Sequence, residues 1–371
     1  MNTFGRKFKV SIFGESHGEA IGVVLDGVLP GLPVSADDFK EDIMRRKSGA
    51  KGTTPRIEAD APEILSGVYN GFSTGAPLTI IFRNGNTKSG DYKLFSDVPR
   101  PGHADYVASV KWLDFNDPRG GGHFSGRLTL PIVAAGVIAK KMCSCDIRAR
   151  LVEVGGVSRE DALRKSAEDS HPLGGGALAA ERASKGEPSE ITDSELWRDV
   201  LDKAITEKDS VGGVVECTAS HLPAGLGEPF FDSVEALVSH AVFSIPGVRG
   251  IEFGDGFAAA RMKGSEHNDP FDCIAGDDAN PGWPKDPEVC HPSKNGAGGV
   301  NGGITNGNPL VFRVAFKPTS SIGRPQRTFN FTAGQMTDLE IPGRHDACFA
   351  LRTPPVVEAM TAIVLADLMV L

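Results

Sequence analysis

The sequence predicts an α+β protein with an internal pseudo-repeat, and three observations carry that reading. Short apolar runs of strand length recur between glycine turns, first at Phe8–Phe13 and Ala20–Val28. Two longer apolar stretches, Leu130 to Lys141 and Pro354 to Leu371, have the length and spacing of buried helices. The succession of strand, glycine turn, helix and glycine-rich loop seen in the first half returns between Gly212 and Phe253, as a duplicated chain would show.

Composition narrows the function classes. At 371 residues the chain can bury a large core, and 40% hydrophobic with 23% charged residues suits a soluble globular protein. The 45 glycines and 25 prolines gather in short clusters between patterned segments, so long loops are expected to build a site. A net charge of -9 argues against a nucleic-acid partner, although local basic clusters can still line a pocket for a small anion. Six cysteines without paired C-x-x-C spacing read as free thiols in a reducing cytoplasm. No apolar run reaches membrane-spanning length and no signal-peptide pattern opens the chain, so a cytoplasmic protein without a membrane partner is expected.

Taken in order, the first strand ends at Gly14-Glu15-Ser16-His17-Gly18, which holds a histidine between glycines. Ser35 is an N-cap for a helix running to about Arg46. The closing Arg45-Arg46-Lys47 either complements the helix dipole or clamps an anion. Strands follow at Ile64–Tyr69 and Pro77–Phe82, then a polar loop from Asn84 to Asp97. In Arg100-Pro101-Gly102-His103-Ala104-Asp105 the carboxylate either orients the imidazole or caps the helix from Tyr106 to Leu113.

Asp117 to Arg127 is the richest stretch. Gly120, Gly121 and Gly122 leave backbone N–H groups free to face an anion at a helix N-terminus. Ser125 adds a hydroxyl and Arg127 a planar donor fork. The spacing is neither that of a P-loop nor of a dinucleotide fingerprint. From Val152 to Glu207 two exposed helices are expected around Gly174–Gly176, as a connector or an oligomer contact. A strand at Gly212–Ala219 and a helix at Phe231–Phe243 precede the loop Ser244–Phe253, and a second glycine nest spans Asn295–Ile304. The strand Leu310–Phe316 presents Lys317-Pro318-Thr319-Ser320-Ser321-Ile322, which could be a phosphate seat or a solvated turn. Gly343-Arg344-His345-Asp346 then leads into the closing helix.

Four of these stretches, in sequence order over essentially the whole chain, resemble the chorismate synthases: Phe13–Gly18, Arg100–Asp105, Lys317–Ile322 and Gly343–Asp346. The resemblance implies a single domain, 1–371, with a helical layer sandwiched between antiparallel β-sheets, assembled as a homotetramer. It implies elimination of phosphate from 5-enolpyruvylshikimate 3-phosphate to give chorismate, with reduced FMN required and NADPH one candidate reductant, no built-in flavin reductase being inferred. His17, His103 and Asp346 match the family's catalytic positions. Ser16, Arg46, Arg127 and Arg344 match its substrate contacts, and Arg46 also its NADPH contact. Flavin contacts fall on His123, Phe124, Ser125, Pro246, Gly247, Gly302, Lys317, Pro318, Thr319, Ser320, Ser321 and Arg344. The sequence departs from the commoner pattern at His123-Phe124 (often Arg-Ser), at Pro246-Gly247 (often Asn-Ala) and at Gly52, where some members carry an NADPH-binding arginine.

Overall fold

The computed structural model describes residues 2–56, 58–85, 94–169, 192–273, 290–341 and 345–370. The first half builds strands β1 (Thr3–Phe4), β2 (Lys9–Gly14) and β3 (Ala20–Asp26), helix α1 (Lys40–Arg46), then β4 (Glu63–Ser66) and β5 (Leu78–Arg83). Helix α2 (Asp105–Trp112) and the long helix α3 (Thr129–Cys143) follow. The second half builds β6 (Asp146–Val154), β7 (Val157–Ser158), α4 (Arg159–Asp169), α5 (Arg198–Thr206), β8 (Gly213–Ser220) and α6 (Val234–Val242). It ends with β9 (Val248–Phe253), β10 (Leu310–Phe316) and the closing helix α7 (Pro354–Met369).

Two five-stranded antiparallel sheets result, in the orders β1-β2-β3-β5-β4 and β9-β10-β8-β6-β7. Their connectivity is the same. The unit β2, β3, α1, β4, β5, α3 corresponds to β6, β8, α6, β9, β10, α7, with a short strand added at the β2 edge and at the β6 edge. The pseudo-repeat read from the sequence is thus a repeat of topology.

Helices α3 and α7 pack against each other between the sheets, α3 facing β3 and β5, α7 facing β6 and β8. Both are apolar nearly all round, as a helix covered on every side must be: Leu130, Val133, Ile138, Val357, Ile363 and Leu365 are buried. Their backbones approach closely because Gly136 has no side chain; a Cβ there would sit 2.3 Å from that of Ala359. One apolar cluster runs from Phe8 to Ala366 through both sheets and this helical layer. No helix among the described residues is long and apolar enough to cross a membrane.

Two expectations are corrected and one strand is added. Ser244–Phe253 is not a loop throughout: Val248–Phe253 is β9, paired with β10 despite its glycine. The nine-residue β6 was not anticipated, because its alternation carries charges on the exposed face. The segment expected as two exposed helices buries Trp197, Leu201 and Ala204 against the core, so α5 is amphipathic. The Gly174–Gly176 loop lies outside the described residues.

Candidate active site

The loops at one end of the helical layer converge on two adjoining cavities. The smaller, about 230 Å³, is lined by six cationic side chains (Arg46, Lys47, Arg56, Arg100, Arg127 and Arg352) and three carboxylates (Glu58, Asp60 and Asp346). That surplus of positive charge sits inside a protein of net charge -9. The second cavity, about 540 Å³, has walls of Phe124, Phe349, Pro246 and Pro318 with Lys317 and Arg249 among them. Seven residues line both: His103, Phe124, Gly126, Thr319, Ser320, Asp346 and Arg352. A ligand in one would therefore touch a ligand in the other along this seam.

Arg46 reaches the site from the last turn of α1, while its neighbour Arg45 turns the other way to Glu358. Arg46 is 4% exposed; its Nε donates to Thr129 Oγ1 at 2.9 Å and its Nη2 to the Gly126 carbonyl at 3.1 Å. Burial, with Arg352 and Arg127 nearby, pushes its guanidinium down to about 9 against the pull of Asp60. An anion would relieve that repulsion. Arg127 donates Nη1 to Asp60 Oδ1 at 2.8 Å and Nε to Asn84 Oδ1 at 2.5 Å. Asp60 meets both arginines with a left-handed backbone, φ 53°, a conformation Asp tolerates better than most residues.

His103 Nδ1 lies 2.6 Å from Asp105 Oδ1 and 3.0 Å from Arg100 Nη2. The two contacts compete for one nitrogen. A carboxylate only accepts, so the shorter contact places the proton on Nδ1. Nε2 is then left on the side of Gly121. Asp105 also takes Arg100 Nε at 2.8 Å and Nη2 at 2.7 Å and makes no helix-capping bond. Of its two possible roles, orientation of the imidazole is the one the structure displays. Burial works against its negative charge, but Arg100 and His103 outweigh burial and hold the carboxyl well below the usual range.

The triple glycine is not the expected nest at a helix N-terminus. All three residues have positive φ, the Gly121 N–H bonds the Pro118 carbonyl, and a separate 3₁₀ turn precedes α3. Its use is close approach. A Cβ on Gly120 would lie 2.5 Å from His17 Cδ2, and one on Gly121 would lie 3.6 Å from His103 Nε2. The two candidate histidines thus flank consecutive glycines. Gly120→Ala is expected to displace His17 and to cost about 1–2 kcal/mol in backbone strain alone. Thermal unfolding and turnover measured together should both fall; an unchanged thermal midpoint with normal turnover would contradict this packing.

His17 is buried behind Gly120. Burial first, then Arg56 and Arg119, lowers its imidazole below the usual 6.5, against Asp117 and Glu58. Ser16 is fully buried and its Oγ accepts from Arg56 Nη1 at 3.3 Å, so it supports an arginine of the cavity from one layer back. Asp346 faces both cavities. Its Oδ1 accepts the Thr54 N–H at 2.9 Å and Arg352 Nε at 3.2 Å, and its Oδ2 accepts Arg352 Nη2 at 2.8 Å. Arg352 in turn lies over the Phe349 ring.

Lys317 donates to the Gly102 carbonyl at 3.0 Å and to Ser320 Oγ, and burial followed by Arg249 lowers its ammonium. Thr319 Oγ1, at the seam, is buried without a hydrogen-bond partner among the described residues. Ser125 and Ser321 line the smaller cavity. Pro246 and Gly247 line the larger, and with His123 and Phe124 they also line a third, apolar cavity of about 450 Å³. Gly302 turns the hairpin Val300–Thr305 and lines none of the three cavities. Arg344 lies outside the described residues. Sequence reasoning missed Arg56, Arg352 and Arg249; a lone arginine beside a proline or at a core helix entrance was the available signal.

The sequence model of the chorismate synthase family matches residues 8–370. The chain belongs to the chorismate synthase family. It is 52% identical over 373 residues to a chorismate synthase of Chitinophaga pinensis, covering 100% of this chain and 97% of that one. A chorismate synthase of Korarchaeum cryptofilum is 42% identical, over 98% of this chain and 96% of its own length. A crystal structure of chorismate synthase superposes with a TM-score of 0.68 at 26% identity, covering 98% of this chain and 92% of that one.

Two departures from the family pattern have structural accounts. His123 Nδ1 donates to the Gly14 carbonyl at 2.8 Å, tying the triple-glycine loop to the end of β2. Gly52 has φ +85°, and a Cβ there would lie 2.9 Å from Leu351 Cδ1 and 3.0 Å from Leu201 Cδ2. An arginine would not fit without rebuilding that loop.

Proposed function

We propose that the protein is a chorismate synthase, eliminating phosphate from 5-enolpyruvylshikimate 3-phosphate to form chorismate, with reduced FMN bound beside the substrate. The observation that carries this reading is the pair of abutting cavities, one rich in arginine, the other walled by rings, with His103 and Asp346 at their seam. A substrate with two carboxylates and a phosphate needs several fixed cations, and the planar donor forks of Arg46, Arg56, Arg127 and Arg352 suit such groups. Arg344 joins them in this reading.

The residues around the larger cavity fit a flavin. Phe124, Pro246, Pro318 and Phe349 offer faces for a flat ring, Lys317 and Arg249 offer charge for a phosphate tail, and Thr319 Oγ1, without a partner among the described residues, offers a polar contact to a ligand. When bound, reduced FMN supplies electron density as the C–O bond breaks and a basic nitrogen for the C6 hydrogen. The chain does the rest. The arginines hold the leaving phosphate. His103, with its tautomer fixed by Asp105, presents Nε2 to receive or give a proton at that oxygen. Asp346, held by Arg352 and the Thr54 amide, keeps a carboxylate facing both ligands. The reading also takes the enzyme as cytoplasmic and homotetrameric; the exposed rings of Phe115, Phe230, Phe231 and Phe257 are apolar surface that assembly would cover.

Burial first, then Arg56 and Arg119, lowers the His17 imidazole and so disfavours its charged form. A bound trianion offsets those arginines and raises its pKa. His17 is therefore expected to contribute proton uptake to substrate binding near pH ~6, read as the difference between wild type and variant from calorimetry in two buffers of different ionisation heat. His17→Asn should take up fewer protons than the wild type on binding the same substrate; identical proton linkage in the two proteins would contradict the assignment. The activity itself is tested by product analysis with reduced FMN, where chorismate and phosphate should appear in equal amounts. Failure to form chorismate would refute the proposal.

A further inference from the structure

Helix α3 ends at Cys143, and the chain enters β6 through Ser144 and Cys145, on the side of the helical layer away from the triple glycine. Ser144 adopts a left-handed conformation, φ 48° and ψ 27°. That turn folds the two cysteines back on each other, so that Cys145 Sγ lies 3.1 Å from Cys143 Sγ. Cys143 is 5% exposed and Cys145 is partly exposed. Closing a disulfide requires the sulfurs to approach by about 1 Å, to ~2.05 Å. Elsewhere in the core, Cys217 and Cys348 are buried free thiols, Cys217 beside Thr361 and Cys348 beside the Gly212 carbonyl.

We propose that Cys143 and Cys145 form a reversible dithiol–disulfide site that reacts with peroxide. The Cys143 sulfur is the nucleophile, because Cys145 donates its S–H to it. That contact holds the Cys143 thiol below its ordinary value and the Cys145 thiol above. Attack on hydrogen peroxide breaks the O–O bond, leaving a sulfenic acid on Cys143 and releasing one water with the thiol proton. The Cys145 sulfur then attacks the sulfenic sulfur, the S–S bond forms and a second water leaves. Two thiols and one peroxide thus give one disulfide and two waters; an external dithiol reverses it by exchange. The site adjoins the charge network of the core, since Lys140, one turn earlier, bonds Asp42 of α1 and Glu358 of α7.

Both cysteines fall in the tryptic peptide Met142–Arg148, so the test is direct. The full-length protein is treated with hydrogen peroxide, alkylated with iodoacetamide, digested and weighed. The expected result is a peptide two hydrogens lighter and unalkylated, recovered as the doubly alkylated form after dithiothreitol. Cys145→Ser should yield no lighter peptide, and its partly exposed position makes the substitution tolerable to the fold. Ser144→Val, which disfavours the left-handed turn, should slow closure several-fold without removing either thiol. Persistent double alkylation, accumulation of sulfinic acid, or disulfides only between chains would overturn the proposal.

Discussion

His103→Ala is expected to lower turnover by about 10²–10⁴-fold, the range of a lost acid–base group, while the thermal midpoint stays close to that of the wild type. The split follows from the geometry. The imidazole side chain is 20% exposed, and its ties to the fold are the contacts of Nδ1 with Asp105 and Arg100. Asp105 keeps its other bonds when the ring is removed: Arg100 N–H at 3.1 Å, Nε at 2.8 Å and Nη2 at 2.7 Å. Arg100 in turn still reaches Ser321 Oγ at 3.1 Å and lies over the Phe95 ring. The loop therefore holds without the ring, and added imidazole should restore part of the rate. A variant with normal turnover, or one that loses stability in proportion to activity, would remove His103 from the catalytic set.

Glu358→Ala is expected to cost about 3–5 kcal/mol of stability, the range for a broken buried ion pair, with little direct effect on the cavity. Glu358 points from α7 and is 1% exposed. Its carboxylate takes two bonds from Arg45 at 2.7 and 2.8 Å, one from Lys140 at 2.9 Å, and the Ala149 N–H at 2.9 Å. The alanine variant leaves that amide orphaned and gives the two cations only Asp42 to share. Burial would raise the Glu358 carboxyl, but Arg45 and Lys140 outweigh it and hold the group below its usual 4.5. Its contribution is therefore complete above that value and is lost as pH falls through the lower folded value. Urea denaturation of both proteins should show the difference shrinking below about pH 4.5. A difference independent of pH would contradict an ionised Glu358.

Much of the fold was legible because its signals are local. Strands β2 and β3 and the apolar α3 and α7 follow from periodicity, which acts within a few residues, while Ser35 caps a 3₁₀ turn, Ala36–Phe39, that leads into α1 rather than α1 itself. Strand β6 hid because its exposed face carries Asp146, Arg148 and Arg150, and β9 hid behind Pro246, Gly247 and Gly250. In the site, motif histidines and Asp346 stood out through their glycine neighbours. Arg56 and Arg352 did not, since a single arginine reveals nothing about burial until distant loops close over it. The triple glycine was read as a source of free N–H groups, whereas it makes room for two imidazoles. That distinction depends on the chain beyond it.

The arginine-lined cavity is expected to eliminate phosphate only beside a reduced flavin. Anaerobic phosphate release from 5-enolpyruvylshikimate 3-phosphate, measured with chemically reduced FMN and again with oxidised FMN, tests it most directly. Release is expected with reduced flavin and not with oxidised flavin, and oxidised FMN plus NADPH then decides whether the chain reduces its own flavin. Tight FMN binding without phosphate release in either redox state would contradict the account and leave a flavin-binding protein that has lost the elimination.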